Sequence, residues 1–177
     1  MQYNPDLHRR QSLRLKEYDY SQNGYYFVTV CTYQKECLFG EINNGKMVLN
    51  ECGLIVKQCW HESSNHFLNI KLDKFAIMPN HIHGIITIDN CRGTACRAPT
   101  YESFGNPVPG SMPTIIRSFK SAVTKQINIL RNSPQTPVWH RNYYEHVIRN
   151  DAELNKIREY IITNSVMWDL DNENTNH

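Results

Sequence analysis

No apolar run in this chain approaches the ~20 residues that a membrane-spanning helix needs, and its polar beginning contains no signal-peptide core. Those absences predict a cytoplasmic protein with no membrane partner. Six cysteines (Cys31, Cys37, Cys52, Cys59, Cys91 and Cys96) form no Cys-x-x-Cys pair. The common zinc-ribbon and dithiol patterns are therefore missing, and free thiols, several of them core filler, are expected. Strong net charge is missing too: 19 Lys and Arg against 17 Asp and Glu leave +2, so the totals alone do not announce nucleic acid. The distribution is less even. Residues 8–18 hold Arg9, Arg10, Arg14 and Lys16 against Glu17, and 112–131 holds Arg117, Lys120, Lys125 and Arg131 with no acid. Residues 169–177 carry Asp169, Asp171 and Glu173 and no Lys or Arg. One basic face accounts for the two basic clusters, and so does a set of separately solvated helix faces.

At 177 residues the chain suits one domain with a full hydrophobic core. The composition places a basic arm over 1–22, a single domain over 23–168 and an acidic flexible tail over 169–177. Within the domain, Tyr25–Tyr33 is aromatic and β-branched throughout and predicts a strand. Asn43-Asn44-Gly45 reads as a hairpin turn between short strands. Asn50 caps an expected helix to about Ser64, and strands follow over 69–77 and 81–88. Residues 90–111, rich in Gly, Pro, Ser, Asn and Thr, read as a long loop. The three- and four-residue spacing of Ile115, Ile116, Phe119, Val123, Ile127 and Leu130 predicts a second helix from Met112. An edge strand near 144–149 and a last helix over 151–166 complete the series. Strand, helix, strand, strand, helix, strand, helix predicts an α+β fold: a ferredoxin-like antiparallel sheet (βαββαβ) with helices on one face and a further C-terminal helix. That topology puts the 81–88 strand centrally.

Chemistry enters through that strand. His81 and His83 lie two apart, so their imidazoles share a face about 7 Å apart along the strand and can converge on one metal ion. On the final helix Tyr160 and Asn164 lie four apart, on the rim between buried stripe and solvent. Two imidazole nitrogens and one amide oxygen leave positions open on a divalent cation, which can polarise a phosphate toward attack by the phenol.

The motif Met78-Pro79-Asn80-His81-Ile82-His83-Gly84 resembles the His-hydrophobic-His motif of single-tyrosine HUH transposases. Trp139-x-Arg-Asn-Tyr-Tyr-Glu-His-Val-Ile-Arg-Asn150 followed by Tyr160-Ile161-x-x-Asn164 is similar to the C-terminal half of REP-associated tyrosine transposases. Arg14-Leu15-Lys16-x-Tyr18-Asp19-Tyr20 and Tyr26–Thr32 resemble their N-terminal part, so the resemblance spans about 9–168. One departure is Ser165, where many relatives carry proline. The resemblance implies a C-terminal helix carrying the nucleophile, with Tyr160 in that role and His81, His83 and Asn164 at the metal-ligand positions for Mg²⁺ or Mn²⁺. It implies cutting and rejoining of single-stranded DNA beside a hairpin through a 5′-phosphotyrosine, by a monomer or a homodimer. Arg9, Arg10, Arg14, Lys16, Arg117, Lys120, Lys125, Arg141, Tyr143 and Arg149 are then candidate DNA contacts. Two alternatives are a domesticated, non-catalytic binder of DNA or RNA hairpins and a metal-dependent phosphoesterase that uses water.

Overall fold

A computed structural model describes residues 18–90, 108–171, 173 and 174. The strands are β1 (Gly24–Cys31), β2 (Gly40–Asn43), β3 (Lys46–Leu49), β4 (Ile70–Ile77), β5 (His81–Ile88) and β6 (Tyr144–Ile148). The helices are α1 (Glu51–His66), α2 (Met112–Leu130) and α3 (Asp151–Thr163). Among the described residues, no helix is long and apolar enough to cross a membrane.

The four-stranded sheet runs β4-β5-β1-β6 with every neighbouring pair antiparallel. This is the ferredoxin-like α+β arrangement, and β5 is an inner strand. Strand alternation divides its side chains between two layers. On one face Tyr26, Val28 and Val30 of β1 and Ile82, Ile86 and Ile88 of β5 meet Val56 and Trp60 of α1 and Ile116, Phe119 and Val123 of α2. On the other, Phe27, Ile85 and Ile148 meet Leu154 and Ile161 of α3 in a second, smaller core. Helices α1 and α2 therefore share a face, while α3 lies on the opposite one.

Local chemistry starts each element. Asn50 Oδ1 accepts from the Gly53 N–H, and Asn150 Oδ1 from the Glu153 N–H, so both helices open on an asparagine cap. Asn44 and Gly45 both have positive φ, 49° and 72°, as a two-residue type I′ hairpin turn between β2 and β3 requires. Arg158 Nε donates to Asp73 Oδ2 at 2.9 Å and ties α3 to the edge strand β4.

The domain limits drawn from the sequence move at both ends. Residues 18–22 are not arm: Tyr20 is buried, Tyr18 meets it edge to face at 4.9 Å, and the Met112 N–H donates to the Tyr20 carbonyl. Arg9, Arg10, Arg14 and Lys16 lie outside the described residues, as do Cys91, Cys96 and the rest of the expected loop over 91–107. The acidic end is packed and not frayed as far as it is described. A 3₁₀ turn over Trp168–Leu170 buries Trp168, because an indole that size gains too much by leaving water to stay on a free tail.

Gly84, the residue after the second histidine, sits under Trp60. A Cβ there would strike the Cζ2–Cη2 edge of the indole, whose other neighbours include Phe75, stacked at 4.4 Å and 5°. Gly84→Val should therefore lower stability by about 1–3 kcal/mol through overpacking. A lower urea midpoint at unchanged slope is the expected reading.

A candidate metal and nucleophile site between the sheet and the last helix

Met78-Pro79-Asn80 turns the chain into β5, and the Met78 N–H donates to the His81 carbonyl at 2.8 Å. From there His81 and His83 point to the α3 face while Ile82 enters the main core. Opposite them on β1 lie Cys31 and Thr29. Asn80 settles the His81 tautomer. Its Nδ2 donates to the carbonyls of Glu173 (2.6 Å) and Lys35 (3.3 Å), so its Oδ1, 2.8 Å from His81 Nδ1, accepts that ring's N–H. The His81 Nε2 is left as a bare lone pair. His83 Nδ1 sits 2.8 Å from Thr29 Oγ1, a hydroxyl that can accept or donate. The two Nε2 atoms face each other at 2.9 Å. Two lone pairs at that separation repel, so the gap belongs to a proton or a cation.

Both rings are buried, and burial dominates their titration. The His81 pKa falls to about 4 despite the opposing pull of the Asp171 and Glu173 carboxylates. His83 lies well below its ordinary value through burial and then through His81. Near neutral pH both are therefore neutral, the form that ligates metals.

Helix α3 brings up the second pair. Tyr160 Oη is 3.2 Å from His83 Nε2 within the same chain, and the two rings meet edge to face at 5.1 Å. Phe27 stacks on His83 at 5.5 Å and meets Tyr160 edge-on at 6.2 Å, which fixes both. Asn164 is 2 % exposed. Its Nδ2 donates to Asp171 Oδ2 at 3.0 Å, while its Oδ1 is buried without a hydrogen-bond partner. An orphaned amide oxygen is costly, and this one belongs to a side chain bonded to the carboxylate that stands 3.8 Å from the bare His81 Nε2, so it has the chemistry of a cation ligand. The Tyr160 phenol is raised above 10, chiefly by burial and then by Asp171. The Asn164 side chain pulls the other way by hydrogen bonding, and Glu173 raises it further.

The sequence reading missed Asp171. Among the described residues, His81, His83 and Asp171 bring donor atoms within 4.8 Å of one another, and Asp171 Oδ2 stands 3.8 Å from His81 Nε2. Trp168 lies against His81, its ring centroid 6.0 Å away. Glu173 forms an ion pair with Lys35 at 3.1 Å and accepts from the Cys31 thiol at 3.4 Å. Burial and that carboxylate push the thiol pKa up to about 12. The available signal was Trp168 itself, a large apolar anchor just ahead of the acids. Two imidazoles, an amide oxygen and a carboxylate together suit a divalent cation of intermediate softness.

The candidate DNA contacts divide. Arg117, Lys125, Arg141 and Arg149 are exposed, and Lys125 and Arg141 line an open groove of about 550 Å³ along α2. Lys120 is turned inward: its ammonium donates to the carbonyls of His140 (2.7 Å) and Arg141 (3.1 Å), and burial lowers its pKa to about 8. It tethers a loop and presents no free charge. Tyr143 packs against the main core and donates to Glu145 Oε2 at 2.6 Å, away from the histidine face. Its neighbour Tyr144 takes the site side.

No protein-family model matches this chain. An uncharacterized protein of Haemophilus influenzae is 43% identical over 173 residues, covering 96% of this chain and 95% of that one. Among solved structures, that of a REP-associated tyrosine transposase bound to a REP hairpin superposes with a TM-score of 0.60 at 17% identity, covering 88% of this chain and 73% of the other.

The titration of the two imidazoles has a consequence for folding. Their folded pKa values lie below the ordinary 6.5, so as pH falls the unfolded chain takes up protons first. The stability they permit is intact above pH 6.5 and is lost as pH falls toward about 4. Urea midpoints of metal-free protein should fall across that window, and His81→Gln/His83→Gln should show a flatter acid limb. Parallel limbs would refute the buried neutral pair.

Proposed function

We propose that this chain, which belongs to one family with the Haemophilus influenzae protein and has the fold of the REP-associated tyrosine transposase, cuts and rejoins single-stranded DNA beside a hairpin through a phosphotyrosine. The observation that carries this reading is the Tyr160 hydroxyl 3.2 Å from His83 Nε2, itself 2.9 Å from His81 Nε2, with the orphaned Asn164 oxygen on the same helix. A structural histidine pair has no use for such an arrangement.

His81, His83, Asn164 and Asp171 would hold the ion, Mg²⁺ or Mn²⁺, and imidazole donors favour Mn²⁺ of the two. When bound, a divalent cation supplies Lewis acidity to a phosphate oxygen and favours the phenolate. The chain's own residues position everything else. Asn80 and Thr29 orient the rings, the usual task of groups hydrogen-bonded to a ligand's far nitrogen. Phe27 and the Arg158–Asp73 tie hold α3, and with it Tyr160, at a fixed height over the sheet. The Tyr160 oxygen bonds to phosphorus as the P–O3′ bond breaks, which leaves a 5′-phosphotyrosine and a 3′-hydroxyl. The phenol loses one proton and the departing oxygen gains one, so no co-reactant is needed. Attack by another 3′-hydroxyl reverses the step and rejoins strands. Arg117, Lys125, Arg141 and Arg149, with Arg9, Arg10, Arg14 and Lys16, would neutralise phosphates.

One observation favours a second reading. His81 is fully buried and His83 nearly so, with Trp168 and Asp171 against His81, as suits a hairpin binder that no longer cuts. A denaturing gel that detects protein–DNA adducts separates the readings. The transferase gives an adduct with a hairpin bearing single-stranded flanks, the binder gives none, and a water-using phosphoesterase cleaves without one.

Tyr160→Phe removes one oxygen and little packing. The variant should fold, bind Mn²⁺ by calorimetry and bind the hairpin, yet form no adduct. An adduct from that variant would move the nucleophile elsewhere. His81→Ala and His83→Ala should abolish cleavage and leave hairpin affinity nearly unchanged, because phosphate contacts supply most of it. That affinity should fall as salt rises, and a flat response would exclude nucleic acid.

A further inference from the structure

The outer row of the sheet holds an aromatic side chain that the proposed chemistry does not use. The β-ladders place Tyr144 of β6 opposite Thr29 of β1, and Thr29 opposite His83 of β5. Residues directly opposite share a face, so Tyr144, Thr29 and His83 form one row across the site. At about 4.8 Å per strand, Tyr144 stands roughly 10 Å from His83 along that row. It is 50 % exposed, although a ring of that size on a strand ordinarily packs. Phe27 supports it edge to face at 6.4 Å, and the same Phe27 stacks on His83 and abuts Tyr160. Among the described residues, strand β6 is the sheet edge, paired only with β1. Exposed Arg141 and Arg149 lie before and after it. Next on the same face, His146 is tied to the Glu153 carboxylate at 2.7 Å.

An exposed ring braced from behind, in the same row as the His83 imidazole that the Tyr160 hydroxyl reaches, matches an unpaired base followed by its phosphate. We propose that Tyr144 is a stacking platform for an unpaired base of the strand being cut, next to the phosphate that Tyr160 attacks. The inference rests on the transferase reading for its substrate. It depends on the π-face and not on the hydroxyl, and it is tolerant of base identity.

The test uses the full chain and an oligo-dT strand carrying one 2-aminopurine, moved position by position, with the same sequence as a duplex for comparison. Wild type should quench 2-aminopurine at one position. Tyr144→Phe should keep the quench and bind within about twofold. Tyr144→Ala and Tyr144→Leu should lose the quench and weaken single-strand binding roughly 5- to 150-fold, the span of one base stacked on an aromatic ring, with duplex binding unchanged. Tyr144→Leu retains apolar bulk, so it answers the question even where the alanine variant unfolds. A quench that survives in Tyr144→Leu, an equal loss on single strand and duplex, or no single-strand binding by wild type overturns the platform. The transferase reading fails separately: wild type that quenches through Tyr144 yet forms no adduct on a flanked hairpin leaves the platform standing and removes the chemistry.

Discussion

Two neutral imidazoles held face to face in a dry strand interior are the constraint around which the rest of this molecule is arranged. Neutral burial is tolerable only where each ring nitrogen has somewhere to point. Asn80 and Thr29 occupy the outer nitrogens, and the inner pair converges at 2.9 Å. That demand fixes β5 as an inner strand, since an edge would wet the rings. It also fixes the turn before the strand, because Asn80 must reach back to His81 while its amide nitrogen binds other carbonyls. Gly84 follows from the same geometry: the strand that aims its histidines one way must lie flat on Trp60 on the other.

The parts of this design that depend on short-range patterns could be read from the sequence. β-Branched runs, asparagine caps, the Asn44-Gly45 turn and the apolar stripe of α2 are all local, and together they imply the antiparallel sheet and its strand order. The i, i+4 spacing of Tyr160 and Asn164 and the i, i+2 spacing of His81 and His83 are local too. The role of Asp171 is not. A carboxylate in an acidic stretch looks like any solvated acid, and only the burial of Trp168 brings it under His81.

Two further differences have simple physical origins. Strand parity decides whether Tyr143 or Tyr144 faces the site, yet Val147 packs on one core and Ile148 on the other. With apolar residues on both faces of β6, alternation cannot assign a side. Lys120 was more legible. It lies between Ile116 and Val123 at helical spacing, on the edge of the buried stripe, so an inward ammonium seeking carbonyls was the natural outcome once α2 packed down.

Trp168 and Asp171 give the site a divided construction. His81 and His83 stand on a strand that cannot move without unfolding the domain, whereas Asp171 arrives on a short stretch anchored by Trp168 and a few hydrogen bonds. A cation that used all of them would link two equilibria. By reciprocity, whatever factor Asp171 adds to ion affinity, the ion adds to the docking of the stretch that carries Trp168 and Asp171. Ion occupancy and accessibility of the histidine pair would then be coupled variables, with one tunable through the other by changing a single carboxylate.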